Sequence, residues 1–185
     1  FDANRQAIIN PEALHEPLEG FPKIAVSCFS RLTFQRMLEM FPHELIYEIS
    51  MANVAIPIYK LVIDDNELAI FNAPVGASAC VGILEDIFAL GADKLVLFGT
   101  CGVLDEDIKE TSIIIPSHAL RDEGTSFHYV EASDEIAVNV GVLDHFRSYL
   151  NERQISHKEG KVWTTDGIYR ETNGKLKARK SAGAI

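Results

Sequence analysis

Basic residues are scarce in this sequence. Seventeen lysines and arginines stand against 27 aspartates and glutamates, a formal net charge of -10 in 185 residues. An acidic chain repels phosphate backbones, which argues against nucleic acid as a partner. Long apolar runs are missing as well: nothing approaches the ~18 apolar residues of a membrane span. Cysteine occurs three times, as Cys28, Cys80 and Cys101, at spacings that match no zinc pattern. No charged-then-apolar leader opens the chain, and with an odd cysteine count this predicts free thiols in a reducing cytoplasm. Several signatures of chemistry are also absent. There is no H-E-x-x-H, no nucleophile elbow and no Gly-Lys-Ser/Thr after a glycine-rich loop. These absences predict a protein with no metal and no membrane segment.

What remains is an ordinary globular balance, with 47% apolar and 24% charged residues, enough for one domain with a sizeable core. The first twenty residues, with Pro11 and Pro17, read as an irregular arm with one short helix. KIAVSCF, residues 23–29, is short, apolar and β-branched, and predicts a buried strand. Residues 31–41 space Leu32, Phe34, Met37, Leu38 and Phe41 as on a helix face, with Ser30 as N-cap. VAIPIYKLVID and ELAIFNAP predict a strand pair turning at Asp65-Asn66. A small-residue opening then leads to a helix that Gly91 stops. KLVLFG predicts a strand buried on both faces. TSIIIPSHAL predicts another strand, DEIAVNVGVLDHFRSYLNER a mostly amphipathic helix, KVWTTD a strand, and SAGAI the start of one more. KLKARK, Lys175 to Lys180, reads as a solvated helix face. Strands and helices alternate throughout, which predicts a single α/β domain over residues 1–185: a three-layer α/β/α sandwich around a central mixed sheet.

In such sheets ligands gather beyond the carboxyl ends of strands. Three loops there carry functional groups. GTCG, Gly99 to Gly102, offers two glycines for close backbone approach and a hydroxyl at Thr100. A plain tight turn explains it equally well. RDEGTSFHYV, Arg121 to Val130, crowds charges, hydroxyls and aromatics into ten residues. It suits either a ligand rim or a polar loop that satisfies its own backbone. WTTDGIYRE, Trp163 to Glu171, has turn chemistry at Asp166-Gly167 and then projects Ile168 and Tyr169, which suits stacking a flat ring or closing a core.

Together LVLFGTCGVL, SHALRDEGTSFHYV and VWTTDGIYRET, in this order and spacing, resemble the nucleoside phosphorylase family, which includes uridine, purine nucleoside and methylthioadenosine phosphorylases. The resemblance covers roughly residues 50–185. It implies phosphorolysis of an N-glycosidic bond, in which phosphate attacks C1′ and yields free base and pentose 1-phosphate. The substrates it implies are a purine or pyrimidine nucleoside and inorganic phosphate, with no other cofactor. It also implies a homo-oligomer: a dimer, trimer or hexamer. Thr100 would contact phosphate or sugar. Gly99, Cys101 and Gly102 would line the substrate, and Ile168 and Tyr169 would wall the base.

Three departures stand out. The family arginine two residues before the glycine of GTCG is Leu97 here. The Gly-Asp-Pro loop after the first strand is replaced by SCFSRL, where Arg31, or the hydroxyls of Ser27 and Ser30, would take over the anion. The acidic groups that hold ribose and assist base departure are expected beyond Ile185, so the chain reads as C-terminally incomplete. With Leu97 removing a cation, a nucleoside hydrolase of the same fold is the alternative, and a non-catalytic nucleoside-binding protein is the third reading. His15 reads as a surface histidine of the arm or as a residue reaching a neighbour's sugar.

Overall fold

The computed structural model describes residues 1–109 and 112–185. They form two compact units, Asn4–Thr100 and a second made of Phe1–Ala3 with Cys101–Ile185.

The first unit is an α/β/α sandwich on a five-stranded mixed sheet. Its elements are β1 (Ile24–Cys28), α1 (Arg31–Met40), β2 (His43–Ser50), β3 (Ala55–Ile63), β4 (Asn66–Asn72), α2 (Ala77–Leu90) and β5 (Lys94–Phe98), and its sheet order is β2-β3-β4-β1-β5. β4, β1 and β5 run parallel, while β2, β3 and β4 form an antiparallel meander. Apolar residues fill both faces. Ile56, Ile58, Ala69, Phe71 and Ala25 pack with Ile83, Ile87 and Leu90 of α2. Leu61, Ile70 and Cys28 pack with Phe34 of α1 on a second core. The alternation Phe71/Ile70 and Ile58/Tyr59 assigns neighbouring strand residues to opposite cores, as the period of two requires.

Local chemistry fixes the joints. Ser30 caps α1, its Oγ accepting from the Thr33 N–H at 3.2 Å. Gly91 ends α2 at φ 129°, a conformation that favours glycine. The β3–β4 hairpin turns on Asp64-Asp65, both at positive φ, one residue earlier than the sequence predicts. The Asn66 side chain donates back to the Asp64 carbonyl at 2.9 Å. β2 escapes the sequence reading altogether. Ile46 and Tyr47 are adjacent yet both pack on the same core, and the register shifts between Leu45 and Tyr47. A bulge of this kind hides the alternation that would identify a strand. β5 is half-exposed rather than buried on both faces, because it is the last strand of its sheet.

The arm carries a short 3-10 turn at Pro11–Ala13. His15 is not a surface residue. Its Nδ1 lies 3.2 Å from the Tyr47 hydroxyl and its Nε2 3.2 Å from Asp86 of α2. Burial raises the Asp86 pKa, and the His15 charge and hydrogen bond partly offset that. The arm is therefore tied to both β2 and α2.

The second unit holds β6 (Ile113–Asp122), α3 (Ser126–Tyr129, one turn), β7 (Glu135–Ala137), α4 (Val140–Glu152), β8 (His157–Thr165) and α5 (Asn173–Ser181). Its sheet order is β7-β6-β8, with β6 and β8 parallel and β7 antiparallel. Pro116 has no N–H to donate and sits where the β6–β8 register shifts. Leu143 and Leu150 of α4 pack on Ile115. The stretch expected to be mostly helix opens instead with the short strand β7, before Asn139 caps α4 through Val142 N–H. SAGAI does not form a full strand. It makes one parallel bridge, Lys161 to Ala184.

One buried hydroxyl joins the strands of the first unit. Ser27, 1% exposed, donates to the Phe71 carbonyl at 2.8 Å and accepts from the Ala73 N–H at 3.1 Å. We expect Ser27→Ala to cost about 1–2 kcal/mol, measured by chemical denaturation, because it removes two buried hydrogen bonds, to the Phe71 carbonyl and from the Ala73 N–H.

Candidate functional site

Parallel pairing aligns the carboxyl ends of β4, β1 and β5. Cys28 lies opposite Asn72 on one side and Phe98 on the other. The loops that follow therefore leave the same edge of the sheet: Phe29-Ser30 into α1, Ala73–Gly76 into α2, and Gly99-Thr100. They are bound together at their roots. The Asn72 side chain and the Ala73 N–H both donate to the Cys28 carbonyl, at 2.7 and 3.1 Å. Phe29 presses against Gly99 so closely that a Cβ there would lie 2.9 Å from its ring. Gly99 is favoured by space rather than by backbone angle, since a Cβ there would have to displace the Phe29 ring.

Arg31 occupies the first position of α1, beside this edge, and is exposed. It has no ion pair among the described residues. The two serines considered with it are committed elsewhere. Ser27 is buried between strands, and Ser30 caps α1 while also accepting from the Thr33 hydroxyl at 3.0 Å. Leu97, which stands where a cation is expected, packs against the larger core. Burial raises the pKa of both Cys28 and Cys80, which disfavours their thiolate forms. Cys101 is exposed.

The second unit has its own strand ends. β6 and β8 finish side by side, Asp122 opposite Thr165. Asp122 is a hub. Its carboxylate accepts from Trp163 Nε1 at 3.1 Å and Lys175 Nζ at 2.9 Å, and pairs with Arg179 at 3.3 Å. Burial pushes the Asp122 pKa up, but the Lys175 and Trp163 hydrogen bonds and the charges of Lys175 and Arg179 outweigh it, so the net shift is downward. KLKARK is thus not simply a solvated face. Lys175 and Arg179, four apart on α5, turn inward together.

RDEGTSFHYV satisfies part of its own polar set and borrows partners from residues 131–133, while the buried Arg121 Nη2 has no hydrogen-bond partner among the described residues. Arg121 is 6% exposed and bonds Ser126 Oγ at 2.8 Å, the Glu131 carbonyl at 2.7 Å and Ser133 Oγ at 2.9 Å. It also lies 3.8 Å over the Phe127 ring. Glu123 accepts from the Ser126 N–H at 2.9 Å and from its hydroxyl. Arg121 thus meets Glu123 through a serine rather than directly. Beyond β8, Ile168 and Tyr169 stand on a 3-10 turn and are 72% and 95% exposed.

The structure therefore gathers Arg31, Gly99 and Thr100 at one strand edge of the first unit. It places Cys101, Gly102, Ile168 and Tyr169 in the second, all exposed. Among the described residues no three His, Cys, Asp or Glu side chains group as a metal site, and no helix is long and apolar enough to cross a membrane.

The sequence profile of the phosphorylase superfamily matches residues 23–185. The chain belongs to that superfamily. Among curated relatives, the guanosine phosphorylase of Halorubrum lacusprofundi is 22% identical over 62% of this chain and 49% of its own length. The uridine phosphorylase of Treponema pallidum is 29% identical over 51% of this chain and 36% of its own. The chain thus spans half or less of the curated relatives it matches. The crystal structure of uridine phosphorylase from Vibrio fischeri superposes with a TM-score of 0.78 at 18% identity, covering 97% of this chain and 75% of that one. A 5′-methylthioadenosine/S-adenosylhomocysteine nucleosidase of Helicobacter pylori superposes at 0.69 with 19% identity, covering 90% and 74%. These likenesses fix the fold. It is the mixed-sheet α/β fold shared by nucleoside phosphorylases and nucleosidases.

The lowered Asp122 pKa has a pH signature. Its charged form is the stabilising one, so its contribution is complete above the ordinary aspartate value near 3.8 and is lost as pH falls below that. We expect Asp122→Asn to lower the urea midpoint at pH 7. The gap between variant and wild type should narrow as pH drops through that range, a comparison that equilibrium unfolding at several pH values makes directly.

Proposed function

We propose that the protein is a nucleoside phosphorylase, a pentosyltransferase that cleaves the N-glycosidic bond of a purine or pyrimidine nucleoside with inorganic phosphate. The observation that carries this reading is the parallel register of β1 and β5. It brings the exposed Arg31, which has no ion pair among the described residues, and the Gly99-Thr100 loop to one edge, beside the N-terminus of α1. A guanidinium, a hydroxyl, loop amides and the positive end of a helix are what a phosphate dianion requires.

In this reading Arg31 and Thr100 of the first unit hold phosphate and aim one oxygen at C1′, with Gly99 lining the substrate. The C1′–N bond breaks as the sugar gains oxocarbenium character, and the phosphate oxygen then bonds C1′. For the second unit, the family resemblance alone assigns Cys101 and Gly102 to the substrate and Ile168 and Tyr169, as flat apolar surface, to the base. No residue of the chain is assigned as the acid for the departing base. The enzyme takes no cofactor beyond phosphate, acts in the cytoplasm and assembles as a homo-oligomer.

One observation favours a second reading, hydrolysis. Leu97 supplies packing where the phosphorylase pattern has a cation, and water needs no anion site. Nucleosidases share the fold.

The deciding experiment follows release of free base from a nucleoside panel with and without phosphate. Phosphate-dependent release is the expected result. Release at the same rate without phosphate overturns phosphorolysis in favour of hydrolysis, and binding without release leaves a nucleoside-binding protein. We further expect Arg31→Ala and Thr100→Val each to raise the phosphate KM by about tenfold, with the nucleoside KM little changed.

A further inference from the structure

We propose that Asp166 is a positioning residue for the base wall: its carboxylate, by accepting the Gly124 N–H, sets the orientation of the turn that carries Ile168 and Tyr169. The inference rests on the nucleoside-cleaving reading above.

Beyond Asp122 and Thr165 the two parallel strands give way to separate loops. One is the rim loop of Glu123–Thr125 and the other the wall turn of residues 166–170. Among the described residues two hydrogen bonds tie the wall turn to the end of β6 and to the rim loop. The Asp166 N–H donates to the Asp122 carbonyl at 3.2 Å, which simply extends the ladder. The Gly124 N–H donates to Asp166 Oδ2 at 2.9 Å, across 42 residues of chain. Only the second depends on which side chain stands at 166.

An aspartate serving its own turn accepts from an amide two residues on. Asp166 spends its carboxylate on the opposite loop instead. The wall turn is closed by other groups: the Gly167 N–H reaches Thr165 Oγ1 at 3.2 Å, and the Arg170 N–H reaches the Gly167 carbonyl at 2.7 Å. The turn is thus stiff within itself and is anchored to the rim through Asp166.

Tyr169 gives this anchor its importance. At 95% exposure it has almost no packing to hold its ring in place. The placing of such a side chain follows its backbone, and the bond from Gly124 to Asp166 is the side-chain link that ties this backbone to the rim loop. A charge-assisted hydrogen bond in water adds little stability, but it restricts direction, which is what a stacking surface needs.

The test uses the full chain with Asp166→Ala, which removes the acceptor, and Asp166→Asn, which keeps a carbonyl able to accept from Gly124. Amide hydrogen exchange is followed by mass spectrometry in peptides spanning 122–130 and 165–171. Asp166→Ala should speed exchange in both segments about tenfold, and Asp166→Asn should stay within about twofold of wild type. Nucleoside affinity, read as KM or by calorimetric titration, should weaken about fivefold in Asp166→Ala and recover in Asp166→Asn, with kcat and phosphate KM nearly unchanged. In a Tyr169→Ala background, Asp166→Ala should add almost nothing. Unchanged exchange in either segment overturns the proposal, as does a full additive loss in the double variant or a parallel fall in kcat and both affinities. A wild-type protein that releases no base removes the proposed reaction, whereas the exchange and titration results still decide the role of Asp166.

Discussion

Parallel pairing of β1 with both β4 and β5 is the constraint on which the first unit depends. A parallel ladder sends successive carboxyl ends to one edge, so every loop that follows a strand emerges beside its neighbours. Cys28, Asn72 and Phe98 stand level there. Arg31 and Thr100, far apart in the chain, follow strands whose ends that register sets side by side. The price is that such a sheet must be covered on both faces, and the two cores under α1 and α2 meet that requirement.

The second unit solves the same geometric problem with fewer strands. β6 and β8 are parallel, and their ends are held by charge rather than by a broad core. Asp122 draws Trp163 of β8 and two cations of α5 onto one carboxylate. Arg121, next in sequence and pointing to the other face, organises the segment from Ser126 to Ser133 through its guanidinium. Two adjacent residues of opposite charge thus serve two different structures. That division explains why the stretch is so dense in functional groups.

Much of this was legible in the sequence, and the misses have physical causes. Apolar runs such as KIAVSCF and the periodic face of residues 31–41 announced β1 and α1, because burial imposes period two or 3.6 regardless of partners. The Ser30 cap and the Gly91 stop were legible for the same local reason. β2 was not, since its bulge breaks the alternation at Ile46 and Tyr47. β5 looked central because composition reports apolarity and not position in a sheet. At the candidate site, GTCG and the exposed Ile168-Tyr169 pair could be named from their loops. The Asp122 hub, the Asp166 link to Gly124 and the His15 tie to Asp86 could not, because each joins residues distant in sequence. Only the spacing of Lys175 and Arg179 hinted that one face of α5 turns inward.

The contact between Phe29 and Gly99 has an evolutionary consequence. The ring occupies the space that any side chain at 99 would need. A larger residue at 99 therefore requires the Phe29 ring to swing away or to be replaced by a smaller side chain. A comparison of related sequences should show larger residues at 99 accompanied by smaller ones at 29.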